Sequence, residues 1–475
     1  MKTRKTFKSL SMCFILFLLM TYSFSSSGKA DIPDKGINMA VYAEILSDEA
    51  VSSHLLIVNT EDGIVTLTGS VDNILARDRA ISIAQSIKGV RSVIDKMEVK
   101  AVERSDLQMQ KDVKEALLHD PATDSYEIGV QVNEGIVTLS GTVDSYAEWS
   151  LCSQVAKSVM GVKKIRNIIE VDYREERAAH EIKTDIEGRI GSDVRIDSGL
   201  IDVEVIDGNV TLKGTVGSLK EKLLAENDAW VAGVKAVDTS ELKIEWWARD
   251  RLQVKGVRKP PSDEWIEKAI KDAFFYDPRV KSFELYVSVE DRVATLMGEV
   301  DNLKAKRAAE KDARNTVGVN WARNYIRVRP HSLRSDPVIA EDVRSALKKD
   351  PYINRFDVSV LVFNNKVYLY GSLDSNFEKY RAENVASSIA GVVDVDNNIK
   401  VDYAWEGKND WQIEWDIENQ ITWSPYFEDD EIEVDVTNGV AELTGKVDTW
   451  FEYSEAAKEA MEGGAKEVIN KLEVE

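Results

Sequence analysis

A metal centre or an acid–base pair needs two or three donor side chains at short, fixed spacing. This chain of 475 residues has four histidines, His54, His119, His180 and His331, and two cysteines, Cys13 and Cys152. No histidine has a second donor at ligand spacing. The sequence holds no CxxC, HExxH, phosphate-cradling glycine loop or nucleophile elbow. The acidic run Asp429-Asp430-Glu431 lacks the ligand spacing of a calcium loop and reads as a solvated face. The expectation is no catalytic residue, no metal and no cofactor, and hence no enzyme.

Residues suited to binding gather at two places. The stretch EWWARDRLQVKGVRKPPSD (245–263) carries Trp246, Trp247, Arg249, Arg251, Lys255, Arg258 and Lys259, followed by Pro260-Pro261. Tryptophans at interfacial depth beside cations suit anionic headgroups. The same stretch also reads, and more simply, as a hinge between two three-domain halves, its tryptophans packed on a neighbour. The second place is NDWQIEWDIENQITW (409–423). Trp411 and Trp415 stand two residues before Ile413 and Ile417, which turns them about 200° away from those isoleucines on a helix. They make either a contact surface or a seam against Tyr403 and Trp405.

The elements that position these residues come from a repeat. A glycine preceded by apolar residues two and four positions back recurs as Gly69, Gly141, Gly214, Gly298, Gly371 and Gly445. The alternation predicts a strand with one buried face. A turn signal precedes it at Asp62-Gly63, Glu134-Gly135, Asp207-Gly208, Asn365-Lys366 and Asn438-Gly439, with the poorer Asp291-Arg292 in the fourth copy, and another alternating strand stands before that. An aspartate follows as a helix N-cap in five copies: Asp72, Asp144, Asp301, Asp374 and Asp448. Small residues four apart then mark one helix face: Ala80/Ala84, Cys152/Ala156, Ala225/Ala229, Ala309/Ala313, Ala382/Ala386 and Ala456/Ala460. Cys152 in an alanine slot predicts a buried thiol. A second glycine, Gly89, Gly161, Gly233, Gly318, Gly391 or Gly463-Gly464, is expected to cap that helix before a last strand. A further helix opens each copy on a stripe such as Ile37/Val41/Ile45 or Ile182/Ile186/Ile190.

The fold class is therefore α+β: a tandem repeat of six small αββαβ domains, each a three-stranded mixed sheet with two helices on one face. The expected boundaries are 36–102, 105–173, 177–246, 262–330, 335–404 and 408–475, with 247–261 as a basic, proline-containing linker. Neighbouring copies should touch and the two halves should be separated near 246–261. Residues 1–30 run from a basic segment through an apolar one to SSSGKA, as in a secretory signal peptide; a retained anchor is the alternative. The net charge of −22 deepens to −27 when that segment and its five cations leave, Lys2, Arg4, Lys5, Lys8 and Lys29. Such an anion repels nucleic acid and anionic membranes at long range.

The repeated phrase, as in VTLTGSVD (65–72), VTLSGTVD (137–144), VTLKGTVG (210–217), ATLMGEVD (294–301), VYLYGSLD (367–374) and AELTGKVD (441–448), resembles the BON (bacterial OsmY and nodulation) domain. The resemblance covers nearly all of the chain after residue 36. It implies a non-catalytic, exported, periplasmic protein of envelope or osmotic stress. It implies two partners: membrane phospholipid, or exported and outer-membrane polypeptides held as by OsmY-type periplasmic proteins in a chaperone or scaffold role. Self-association of the repeats is a third contact.

Overall fold

The computed structural model describes residues 32–51, 55–123, 127–173, 177–246, 248, 261–330, 334–402, 408–427 and 432–474. The expected signal segment 1–30, His54, His331, Asp429-Asp430-Glu431, Tyr403, Trp405, and Trp247, Arg249, Arg251, Lys255, Arg258 and Lys259 of the basic stretch lie outside the described residues. Each copy opens on one helix and carries a second before its last strand: α1 (Asp34–Ser47), α2 (Ile74–Gln85), α3 (Asp106–His119), α4 (Tyr146–Lys157), α5 (Ala179–Ser192), α6 (Leu219–Asp228), α7 (Asp263–Tyr276), α8 (Leu303–Arg314), α9 (Asp336–Lys349), α10 (Asn376–Ser387), α11 (Asp410–Trp423) and α12 (Trp450–Glu462). In the first copy β1 (Leu56–Glu61) pairs antiparallel with β2 (Ile64–Val71), which pairs parallel with β3 (Ser92–Val99). The repeated phrase is thus the central strand, and the same order returns in every copy.

Val65 and Leu67 on β2 are fully buried, as are their counterparts Val137 and Leu139, Leu212, Ala294 and Leu296, Val367 and Leu369, and Ala441 and Leu443. The first-helix stripe and the small pair of the second helix close on them: Ile182, Ile186, Ala225 and Ala229 fill one core. All twelve small-pair residues, Cys152 included, are buried, so the helix lies directly on the sheet. Gly69 shows why the phrase ends in glycine. Its φ is +117°, and a Cβ there would stand 2.0 Å from the Leu55 carbonyl oxygen.

Three local expectations are corrected. The second helix is capped one residue later than the aspartate, by the side chains of Asn73, Ser145, Ser218, Asn302, Ser375 and Thr449; the aspartate still belongs to the strand exit. The second glycine is not the cap in copies one to five: the helices end at Gln85, Lys157, Asp228, Arg314 and Ser387, and Gly89, Gly161, Gly233, Gly318 and Gly391 follow a few residues on with positive φ. In the sixth copy Gly463 is the cap and Gly464 takes the positive φ. The fifth hairpin turns on Asn364 and Asn365, one residue before the expected pair, because these carry positive φ of 51° and 64°. The fourth copy makes the same turn with Asp291 and Arg292 although Arg292 is a costly residue there.

A clamp not read from the sequence explains that tolerance. The first residue of the opening helix is an aspartate whose carboxylate accepts both N–H groups of the turn 28 and 29 residues on. Asp34 holds Asp62 and Gly63 at 2.9 and 2.8 Å, and Asp263 holds Asp291 and Arg292 at 2.9 and 3.0 Å. Asp106, Asp336 and Asp410 do the same. The third copy has Ala179 at this place.

The expected separation of the halves is also corrected. The first residue of each second helix inserts into the next domain. Ile74 joins the core of copy two and Leu219 that of copy one, while Tyr146 stacks on Trp230 of copy three at 4.4 Å. Leu303 joins the core of copy five and Trp450 that of copy four, and Asn376 Nδ2 donates to the Ala465 carbonyl of copy six at 3.1 Å. Copies one to three therefore close a cycle, and copies four to six close another. The cycles meet through three equivalent backbone bonds: Lys88 to Trp423 at 3.0 Å, Met160 to Lys349 at 2.7 Å, and Val317 to Ser192 at 2.8 Å, pairing copies one with six, two with five and three with four. A second set of contacts joins two with four, one with five and three with six, through Lys281–Glu148, Tyr352 with the Ala50 carbonyl, and Val194 in the sixth core. This is the contact pattern of a hexamer with one three-fold and three perpendicular two-fold relations, made within one chain.

Candidate functional site

The exposed tryptophan pair stands on α11. Asn409 starts this helix by accepting from the Gln412 N–H at 3.0 Å, while the Gln412 side chain accepts from the Asn409 N–H at 3.0 Å. Ile413 and Ile417 are buried and Ile421 is partly so. That fixes the opposite face outward, where Trp411 is 64% and Trp415 40% exposed. Glu414 and Glu418 flank the pair. Burial first, and then Glu414, raises the Glu418 carboxyl above its usual range. The aromatic face is bordered by acid rather than by cations. The helix's last residue, Trp423, faces inward and packs over Gly36 of the first copy.

Trp246 follows the third copy's last strand and is half-buried; Glu245 beside it donates its N–H to the Val216 carbonyl at 2.8 Å. The two tryptophan candidates thus stand on different domains, copies three and six. Cys152 has its thiol pushed up to about 11, by burial first and then by Glu148 and Asp120, the reverse of an activated nucleophile. Among the described residues no group of three His, Cys, Asp or Glu side chains is placed to hold a metal ion, and no helix is long and apolar enough to cross a membrane.

One further surface escaped the sequence reading. The sheet faces away from the helices carry apolar side chains in the open, among them Ile57, Tyr286, Leu361 and Phe363. On copy five Leu361 pairs across the hairpin with Tyr368, over which the Lys366 ammonium lies 5.5 Å from the ring centre. The signal was present in the alternation: these are the outward residues of strands whose inward residues are Val and Leu.

The model of the BON domain matches residues 33–101, 105–173, 179–245, 262–330, 335–403 and 409–475. The chain belongs to the BON domain family. Its curated relatives include the osmotically-inducible protein Y of Escherichia coli, 32% identical over 141 residues, 28% of this chain and 70% of that protein. The outer membrane lipoprotein DolP of Haemophilus influenzae is 30% identical over 136 residues, 27% of this chain and 69% of that one. A 21 kDa hemolysin of Actinobacillus pleuropneumoniae is 29% identical over 152 residues, 32% and 71% of the two chains. Each match spans about two BON copies of the six.

Proposed function

We propose that this BON-repeat chain is a non-enzymatic, exported protein of the cell envelope that binds the phospholipid surface of a membrane under envelope or osmotic stress. The observation that carries the reading is the Trp411–Trp415 pair, exposed on a helix face whose reverse side is locked in the core. Tryptophan settles at the headgroup level through its amphipathic ring. The acidic border and the net charge of −22 favour zwitterionic over anionic lipid there. The basic stretch from Trp246 to Lys259 is the second candidate contact, the one suited to anionic headgroups. Names given to relatives, an osmotically-inducible protein and an outer membrane lipoprotein, support the setting.

A second reading is a periplasmic chaperone or scaffold for exported and outer-membrane polypeptides. It is favoured by the apolar side chains on the open sheet faces, which offer extended chains a dry surface. Co-sedimentation with neutral and anionic liposomes, at low and physiological salt, separates the two. The lipid reading expects binding that Trp411→Ala/Trp415→Ala or Trp246→Ala/Trp247→Ala abolishes. Absence of binding to both lipids refutes it and leaves the polypeptide reading, tested by suppression of aggregation of an unfolded outer-membrane protein.

A further inference from the structure

Every sheet has the first strand of its hairpin at one edge. In three copies the opening helix covers the open side of that strand. One turn after the clamp aspartate, Asn38 donates its amide to the Val58 carbonyl at 2.9 Å, and Gln110 to the Val130 carbonyl at 2.6 Å. Two turns after it, Arg344 reaches the Val360 carbonyl at 2.9 Å. The three carbonyls are equivalent, each opposite the leucine of the repeated phrase: Leu67, Leu139 and Leu369. A donor placed there blunts an edge that would otherwise pair with another chain.

Copy six has no such donor. Its edge strand is Ile432–Thr437, and Val434 stands opposite Leu443. The tight turn at Asn438-Gly439 makes Thr437 and Val440 a bonded pair. Glu433 and Asp435 therefore bond inward, while Val434 and Val436 present their N–H and carbonyl groups outward. The two helix positions that carry the cap elsewhere hold Glu414 and Glu418, carboxylates that accept rather than donate. Copies three and four fill these positions with Lys183 and Glu187, and with Glu267 and Lys271, each closed as an ion pair at 3.6 and 2.6 Å. Among the described residues Glu414 and Glu418 have no ion pair, nor have Glu433 and Asp435, exposed on the strand's outer face. The neighbouring lysines are engaged elsewhere: Lys408 with Asp416 at 2.5 Å, Lys471 with Glu442 at 2.7 Å, and Lys88 with the Thr422 and Phe427 carbonyls. Lys446 stands opposite Glu473. Copy six thus offers an uncapped edge bordered by four acids.

We propose that this edge takes an extended, cationic polypeptide segment as an added strand. Its backbone bonds to Val434 and Val436, and its lysine or arginine side chains meet Glu414, Glu418, Glu433 and Asp435. The proposal rests on the polypeptide reading above and gives it a place and a substrate chemistry. Backbone bonds of an added strand supply affinity, and its alternate side chains supply selectivity. Trp411 and Trp415 share the helix stripe of the two glutamates, so apolar residues between the cations meet indole rings, and the cations can lie over them. The net charge of −22 draws such a segment in from a distance.

The test is fluorescence anisotropy of a labelled peptide of alternating lysine and valine, titrated with the full-length protein. The wild type is expected to bind it saturably and to ignore a peptide of alternating glutamate and valine. Methylating alternate backbone nitrogens of the lysine peptide keeps its charge and removes its donors. That change should weaken binding about tenfold or more. Glu418→Arg transplants the cap of copy five, and Glu414→Gln that of copy two; each should weaken binding by a similar factor. Glu341→Gln, on the opening helix of copy five, removes one charge and should leave binding unchanged. No saturable binding by the wild type, equal binding of the methylated peptide, or equal binding by Glu418→Arg overturns the proposal. So does binding to phosphatidylcholine vesicles without binding of the peptide, which assigns the face to lipid. If Glu418→Arg loses nothing and the protein still suppresses aggregation of an unfolded outer-membrane protein, this place is refuted and the polypeptide reading survives.

Discussion

Glu44 on α1 lies at the seam of copies one and six, near Arg79, Glu462, Asp48 and Lys458, and its carboxyl is pushed up from 4.5 to about 8. Burial is the largest cause; Arg79 opposes it, and Glu462 and Asp48 add to it. The folded chain therefore holds a proton that the unfolded chain releases above pH 4.5. Stability contributed by this group is complete below that value, falls as pH rises towards 8, and is gone above it. Each pH unit of that interval is worth about 1.4 kcal/mol, which bounds the loss at about 5 kcal/mol; relaxation of a partly accessible side chain brings the expectation to about 2 kcal/mol. Glu44→Gln keeps the shape and removes the titration. In urea unfolding followed by tryptophan fluorescence, the variant should match the wild type at pH 4.5 and exceed it by about 2 kcal/mol at pH 8.5. A difference that does not change between the two pH values, or a variant weaker than the wild type at pH 8.5, refutes the assignment of a raised carboxyl to this seam.

Other perturbations have equally definite outcomes. Gly69→Ala must place a methyl group against the Leu55 carbonyl at positive φ, and should cost at least about 3 kcal/mol in urea unfolding. Arg292→Gly relieves a left-handed φ of 64° while the clamp from Asp263 remains, and should stabilise by about 0.5–1 kcal/mol. Leu303→Ala empties a site that belongs to the core of copy five; a loss of about 2–4 kcal/mol should appear together with weaker association of copies four and five, read as faster proteolysis between them. Cys152 should resist a thiol reagent in the folded protein at pH 8 and react fully in denaturant, because its thiol is buried and raised.

Much of the domain was legible because its rules are local. The alternation around Leu67, the stripe of Ile182, Ile186 and Ile190, and the paired alanines each state a face and a period, and six repetitions removed the ambiguity of any one. The clamp of Asp34 on Gly63 is also in the sequence, as an aspartate 29 residues before the turn in five copies, but it appears only when the copies are aligned on their turns. The cap was expected one residue early because in five copies an aspartate stands directly before an asparagine, serine or threonine, and both make good caps. The cycles were illegible for another reason. Ile74, Tyr146, Leu219, Leu303, Asn376 and Trp450 occupy one structural place with residues of unlike character, so no pattern announced a docking position. Exposure of Trp411, by contrast, follows from its helix face.

A linear array of repeats needs a polar cap at each end and tolerates any number of copies between them. A closed cycle of three facing another has no ends to cap. Here copy number is set by translation rather than by concentration, and the chain dilutes without dissociating. Copy one is paired through Lys88 with copy six, at Trp423, so a chain that lacks copy six leaves two cycle seams and copy one unmatched. A genetic deletion of a whole copy, in frame and with every remaining domain intact, is thus expected to be as damaging as a disrupted core.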